Sequence, residues 1–207
     1  MIEKEAMYKL TYGLFVLVAK NGEKQNGCIV NTVSMITDNP KRITVFVNQS
    51  NYTEKLIKAT GEFTVSILTE KTPFTVFEKF GFVSGRDVDK FAGEHYPQAE
   101  NGLYYIPEYS NAVLSAKVID AHDYGTHTLF VAEVTEAKKL SDEPSVTYAY
   151  YQQNIKPKPQ IKTEQTDKKL HHWVCKVCGY VYEGESMPDD FVCPWCKHPK
   201  EDFEQID

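Results

Sequence analysis

Four of the five cysteines fall within 22 residues, as Cys175-Lys-Val-Cys178 and Cys193-Pro-Trp-Cys196, with 14 residues between the pairs. Two such pairs supply four soft thiolates, and a tetrahedron of sulfur suits zinc or a single iron equally well on geometry. The remaining use of four thiols is a pair of disulfides, which depends on the compartment. The chain has no apolar run of 18 residues, and its first 20 residues carry acids ahead of a short apolar stretch instead of a basic segment with a cleavage site. The expectation is a soluble, cytoplasmic protein, where paired Cys-x-x-Cys motifs bind metal or do redox chemistry in preference to bridging. Gly179 follows the first pair, and its freedom at positive φ lets the chain fold back under a metal and aim N–H groups at sulfur. So small a domain would hardly fold without its metal.

The cysteines must be positioned by a chain far longer than they need. Its 207 residues, 42% of them hydrophobic and 13% aromatic, can bury a substantial core in addition to a small terminal domain. Residues 155–170, IKPKPQIKTEQTDKKL, have two Lys-Pro steps and no aromatic residue, and read as a linker. A flexible 16-residue tether spans roughly 20 to 24 Å, which suits repeated docking; an ordered strap is the alternative. The expected organisation is a first domain over 1–154, the linker over 155–170 and a metal domain over 171–207. Residues 171–207 hold eight acids and three bases, the linker five Lys and two acids, and the rest of the chain supplies −4 of the total −6. An acidic tail argues against nucleic acid as a partner and is steered toward electropositive protein surfaces, unless its charge only aids solubility.

The first domain reads as short β-rich runs. GLFVLVAK (13–20), a turn at Asn21-Gly22 and GCIVNTVSMI (27–36) predict a hairpin, followed by RITVFV (42–47) as a buried strand. Residues 51–61 predict a helix capped by Asn51 and stopped by Gly61, with Leu56, Ile57, Ala59 and Thr60 near one face. EFTVSIL (62–68) is a strand, and Thr72-Pro73 opens a short helix that stops at Gly81. Strands over 111–122 and 126–137 follow, joined by a turn at Asp123 to Gly125. Six or so strands with a few peripheral helices predict a mainly β fold, a small antiparallel barrel. No Gly-x-Gly-x-x-Gly follows a strand, so a Rossmann dinucleotide domain has no support.

The surroundings of the cysteines bear on iron against zinc. Trp173, Cys175-Lys-Val-Cys-Gly-Tyr-Val-Tyr182, Pro188-Asp-Asp-Phe-Val-Cys193-Pro-Trp-Cys196 and Phe203 resemble rubredoxin, a one-iron electron carrier with an aromatic core. The spacer between the pairs is short, as in the rubredoxin-like tail of rubrerythrin, and Lys197 stands where rubredoxins usually carry a second Gly. The resemblance implies one iron (Fe2+/Fe3+) held by Cys175, Cys178, Cys193 and Cys196; a structural zinc ribbon is the alternative.

The first 155 residues carry a second resemblance, to the flavin reductase-like, FMN-binding split β-barrels. It rests on Leu10-Thr-Tyr-Gly-Leu14, Asn26-Gly-Cys-Ile-Val-Asn-Thr32, Val47-Asn-Gln-Ser-Asn-Tyr-Thr53, Phe80-Gly-Phe-Val-Ser-Gly-Arg-Asp-Val-Asp-Lys-Phe91, Tyr124-Gly-Thr-His-Thr-Leu-Phe130 and Thr147-Tyr-Ala-Tyr-Tyr151. FMN needs cationic and hydroxyl donors for its phosphate, backbone donors near the ring and a mostly apolar slot. Ser84, Gly85 and Arg86, with Lys90 four residues on, would cradle the phosphate; a solvated charged loop is the bland alternative. The resemblance implies that Asn31, Thr32, Val33 and Ser34 line the isoalloxazine and that Asn48, Asn51 and Thr53 reach the ribityl or phosphate end. Met35 stands where that family often has Gln. His127, in a Gly-Asp-His-like signature, is the candidate catalytic residue, better described as positioning the nicotinamide or flavin, because hydride transfer needs stacking and a dry slot but no protein base. Cys28, beside Gly27, reads as a small buried filler.

The whole layout resembles the high-molecular-weight rubredoxins of anaerobic prokaryotes. The resemblance implies an oxidoreductase passing electrons from NAD(P)H through FMN to iron and on to a flavodiiron protein that reduces nitric oxide or dioxygen, and it implies a homodimer. Two alternatives stay open: an electron carrier reduced by a separate rubredoxin reductase, and a zinc ribbon that docks a flavin-binding barrel to a partner.

Overall fold

A computed structural model describes residues 3–7, 9–157, 170–176, 180–194 and 198–206. The chain separates into two compact units, Met1–Ile155 and Lys156–Asp207. Most of the expected linker, together with Cys178, Gly179, Cys196 and Lys197, lies outside the described residues.

The first unit is built on seven strands: β1 (Phe15–Asn21), β2 (Lys24–Val30), β3 (Val33–Thr37), β4 (Arg42–Asn48), β5 (Glu62–Leu68), β6 (Ser110–Asp123) and β7 (His127–Lys139). They form one antiparallel sheet in the order β2-β1-β5-β6-β7-β4-β3. The two edge strands are consecutive in sequence and joined only by Asn31 and Thr32, so the sheet must curl until its edges lie side by side: a barrel, split between β2 and β3. The expected single strand over 27–36 is therefore two. Its break is fixed by a hydroxyl standing in for a ladder, since Thr32 Oγ1 donates to the Phe46 carbonyl at 3.1 Å and accepts from the Phe46 N–H at 3.3 Å.

Strand β1 explains where the core sits. Phe15, Leu17 and Ala19 point into the barrel with Val45, Val47, Phe63, Val65 and Phe130, while Leu14, Val16 and Val18 pack outward against Phe77, Phe80, Phe91, Leu103 and Tyr151. Buried on both faces, the strand is apolar throughout instead of alternating.

Four short helices flank the sheet: α1 (Lys4–Met7), α2 (Tyr52–Thr60), α3 (Phe74–Phe77) and α4 (Tyr148–Tyr150). Gly61 ends α2 in the left-handed region, φ 72°, its N–H on the Ile57 carbonyl at 2.7 Å. The buried face of α2 is Thr53, Glu54, Leu56 and Ile57; Ala59 and Thr60 are exposed, contrary to the sequence reading, because the helix is inserted from its N-terminal half. Helix α3 does not stop at Gly81 but widens into a π turn, Glu78–Phe82, which turns Phe80 into the core.

The second unit is a three-stranded antiparallel sheet, β10-β8-β9, of β8 (His171–Cys175), β9 (Val181–Gly184) and β10 (Phe203–Gln205), with a 3-10 turn at Lys200–Asp202. Among the described residues no helix is long and apolar enough to cross a membrane.

Candidate functional site

At one end of the barrel β4 runs out at Asn48 beside the first residue of β7, His127. The Asn48 side-chain oxygen accepts from the Ser50 N–H at 2.8 Å, the Asn48 carbonyl from the Asn51 N–H at 2.9 Å, and the Gln49 N–H donates to the Thr126 carbonyl at 3.0 Å. These bonds turn the chain sharply from β4 into α2. Asn51 occupies the N-cap position in extended conformation, φ −68°, ψ 134°, yet its side chain makes no capping bond, so the first-turn N–H groups of α2 keep no side-chain acceptor.

Residues 84–86 lie across that helix start. The Arg86 Nη1 donates to the Ser50 carbonyl at 2.8 Å, its guanidinium sits 5.7 Å from the Tyr52 ring, and its N–H donates to Ser84 Oγ at 3.2 Å. Lys24 Nζ lies over the same ring, 5.2 Å from its centroid. Gly85 is buried against β2: a Cβ there would fall 1.8 Å from Asn26 Oδ1. Exposed Arg86, the Ser84 hydroxyl and an uncapped helix terminus are the donor set an anionic phosphate requires.

Thr53 and Lys90 do not belong to that open donor set, and the expectation for both is corrected. Thr53 is wholly buried, its hydroxyl accepting from Asn26 Nδ2 at 2.8 Å and bonded to the Cys28 thiol. Lys90 is only 4% exposed and donates to the carbonyls of Gly27 at 2.9 Å and Phe80 at 3.1 Å. Burial depresses its pKa to about 8, opposed in part by neighbouring Cys28. The same burial pushes the Cys28 thiol up, against the hydrogen bond from Thr53 and the Lys90 charge. The two cations expected to share the phosphate diverge: Arg86 is exposed and Lys90 is turned inward. Asn26, Thr53, Cys28 and Lys90 make a buried polar cluster that the sequence reading missed. Its signal was a strand, Lys24–Val30, with Gln25 and Asn26 consecutive where alternation would expose one of them.

Asn31, Thr32 and Val33 are half-buried and Ser34 is exposed along the β2–β3 crossing. Val33 faces Val45 and Ser34 faces Thr44 on β4. Three residues of strand separate Val45 from Asn48, roughly 10 Å, so these residues flank the same strand that ends at the phosphate-like donors. Val33 and Ser34 also border a cleft of about 230 Å³ at the far barrel mouth, lined by Phe15, Ile43, Ile67 and Leu114. Half-buried His127 has Thr126 Oγ1 2.9 Å from Nδ1. One residue on, buried Thr128 donates to Glu54 Oε1 at 2.7 Å and ties β7 to α2.

In the second unit Cys175 and Cys193 are both fully buried. The Cys175 N–H donates to the Tyr180 carbonyl and the Cys193 N–H to the His198 carbonyl, each at 2.8 Å. In both arms the cysteine is thus bonded to the residue five positions later; Cys178 and Cys196 lie outside the described residues. In the same unit Trp173 and Tyr182 (5.8 Å between ring centroids), Tyr182 and Phe191 (4.6 Å), and Phe191 and Phe203 (5.3 Å) form an aromatic shell. Two buried cysteines with the same backbone bond, one from each Cys-x-x-Cys pair, fit half of a tetrathiolate metal site.

Residues 7–158 match the flavin reductase like domain, and residues 173–204 match the rubrerythrin, rubredoxin-like domain. The high molecular weight rubredoxin of Moorella thermoacetica is 36% identical over 99% of this chain and 100% of its own length. The chain belongs to the flavin reductase-like family, in the high-molecular-weight rubredoxin arrangement. A flavin-binding fold and a rubredoxin-like electron-transfer domain are thus joined in one polypeptide. The ferric-chelate reductase (NAD(P)H) of Archaeoglobus fulgidus is 37% identical over 72% of this chain and 89% of its own. The crystal structure of flavoredoxin from Methanosarcina acetivorans superposes with a TM-score of 0.59 at 26% identity, covering 67% of this chain and 74% of that one.

Proposed function

We propose that this high-molecular-weight rubredoxin relative takes electrons from NAD(P)H into FMN on the barrel, passes them to one iron in the tail, and delivers them to a flavodiiron protein or a similar acceptor. The observation that carries the reading is the presence, on one chain, of a barrel end where Arg86, Ser84 and an uncapped helix start gather beside His127, and of two buried cysteines with the same backbone bond. When bound, FMN would supply a two-electron acceptor able to release electrons singly, and iron a one-electron store. Arg86, Ser84 and the α2 N-terminus would hold the phosphate; Asn48 and Asn51 would meet the ribityl chain; Asn31 to Ser34 would border the ring. His127 would orient the nicotinamide or flavin by hydrogen bonding, without moving a proton. Thiolates at Cys175, Cys178, Cys193 and Cys196 would hold the iron, and the aromatic shell would exclude water from it. The relative named as an NAD(P)H reductase supports the donor, and the acidic tail supports a basic acceptor surface. A homodimer and a cytoplasmic location complete the proposal.

Metal and flavin analysis of purified protein, followed by anaerobic titration with NADH and NADPH, tests it. The expected result is stoichiometric FMN and iron, with flavin absorbance bleaching before the iron bands. Failure of both nucleotides to bleach the flavin favours the carrier reduced by a separate reductase. A colourless tail holding zinc favours the docking module.

A further inference from the structure

His127 is held asymmetrically. Its Nδ1 lies 2.9 Å from the hydroxyl of Thr126, whereas Nε2 has no hydrogen-bond partner among the described residues. Thr126 is itself fixed: its N–H donates to the Tyr124 carbonyl at 3.0 Å, its carbonyl accepts from the Gln49 N–H at 3.0 Å, and the Tyr124 N–H donates to the His127 carbonyl at 2.9 Å. Gly125, at φ 82°, makes the turn possible, with its N–H on Asp123 Oδ1 at 2.7 Å. The hydroxyl is therefore aimed by the backbone of two elements, the β6–β7 turn and the β4–α2 loop.

The neighbouring carboxylates are engaged elsewhere. Asp123 accepts from Gly125, Asp120 pairs with His122, and Glu54 takes Thr128 and Lys58. No carboxylate reaches either ring nitrogen among the described residues. A hydroxyl at Nδ1 can donate to that nitrogen, which leaves the ring hydrogen on Nε2.

Resting on the proposed role of His127, we propose that Thr126 is its positioning residue: the hydroxyl occupies Nδ1 and thereby presents Nε2–H to a carbonyl oxygen of the bound flavin or nicotinamide. The ligand chemistry selected is a hydrogen-bond acceptor such as a carboxamide or ring carbonyl. The arrangement needs no proton transfer, which agrees with hydride chemistry.

The test uses full-length protein labelled with 15N-histidine and long-range proton–nitrogen correlation at neutral pH, with His127 assigned from H127Q. The proposal expects one protonated nitrogen, Nε2, and an unprotonated Nδ1, in wild type and in T126S. It expects T126V to lose the single-tautomer pattern and T126D to show both nitrogens protonated. In steady-state assays T126V should raise the KM for the reduced nicotinamide roughly fivefold, as loss of one oriented hydrogen bond predicts, with kcat nearly unchanged and T126S restoring it. A hydrogen on Nδ1 in wild type, or an unchanged pattern in T126V, overturns the proposal. If the tautomer pattern holds but H127Q leaves KM and kcat at wild-type values, the role of His127 in turnover falls and the part of Thr126 in setting the ring stands.

Discussion

Replacing Gly85 by alanine puts a methyl carbon where no movement is cheap. The new Cβ would lie 1.8 Å from Asn26 Oδ1 and 2.2 Å from its Cγ, and Asn26 is 2% exposed with its amide tied to Thr53. Either the 84–86 loop lifts from β2 or Asn26 turns and gives up the Thr53 bond in the interior. Overpacking costs about 1 to 3 kcal/mol and a buried polar group left unpaired costs about as much, so about 2 to 3 kcal/mol is expected. For a chain of this size that lowers the barrel's melting temperature by roughly 4 to 12 °C. Lifting the loop also moves Ser84 and Arg86, so G85A should bind FMN more weakly than its stability loss alone explains. The assay is thermal unfolding with and without FMN for wild type, G85A, N26A and the double variant. In the N26A background the colliding atoms are gone, and the cost of G85A should fall below about 1 kcal/mol, a coupling of the size neighbouring residues show. A G85A cost under about 0.5 kcal/mol, or the same cost in both backgrounds, would refute the packing argument.

Three further outcomes follow from the site. Lys90, held at about 8 against an ordinary 10.5, binds fewer protons folded than unfolded; its burial therefore opposes folding fully below pH 8, by roughly 3 kcal/mol, and stability from this group rises as pH climbs from 8 toward 10.5. K90M should lack that rise in melting temperature against pH, and parallel curves for the two proteins would exclude it. R86A removes a charge-assisted donor and should weaken FMN at least tenfold by fluorescence titration, while the iron content stays at wild-type level. C175S should strip iron, seen by metal analysis and loss of visible absorbance, and leave FMN binding by the barrel intact, since the two sites sit in separate compact units.

The strands were legible because their apolar runs are bounded by turn residues: Asn21-Gly22 ends the first and Gly125 starts the last. What could not be read was the step at Asn31 and Thr32, since Gly27 to Ile36 has the composition of one continuous strand, and only a hydroxyl on a partner backbone reveals the crossing. The phosphate-like residues divided the same way. Arg86 and Ser84 lie where their polarity suggests, on an exposed loop. Lys90 and Thr53 look equally polar in sequence but are drawn inward, because free backbone carbonyls at Gly27 and Phe80 and a buried amide at Asn26 offer them partners. The rubredoxin likeness of the tail was the most legible part, because its aromatic residues and cysteines crowd into one short segment that matches the family over residues 173–204; Cys178 and Cys196 lie outside the described residues.

The pairing of β4 with β7 carries a consequence for how the protein is made. Asn48 meets His127, about 80 residues further along the chain, so β3 and β4 leave the ribosome well before the strand that completes them. The hairpins β1–β2 and β6–β7 can form from neighbours, but closing the ring is a long-range event, slow by its loop entropy. During that interval the apolar stripe of β4, Ile43, Val45 and Val47, stays uncovered on a nascent chain, and aggregation at this stage competes with folding. A chaperone that covers the nascent chain between the synthesis of residues 48 and 127 should therefore raise the yield of this protein more than any change in the tail.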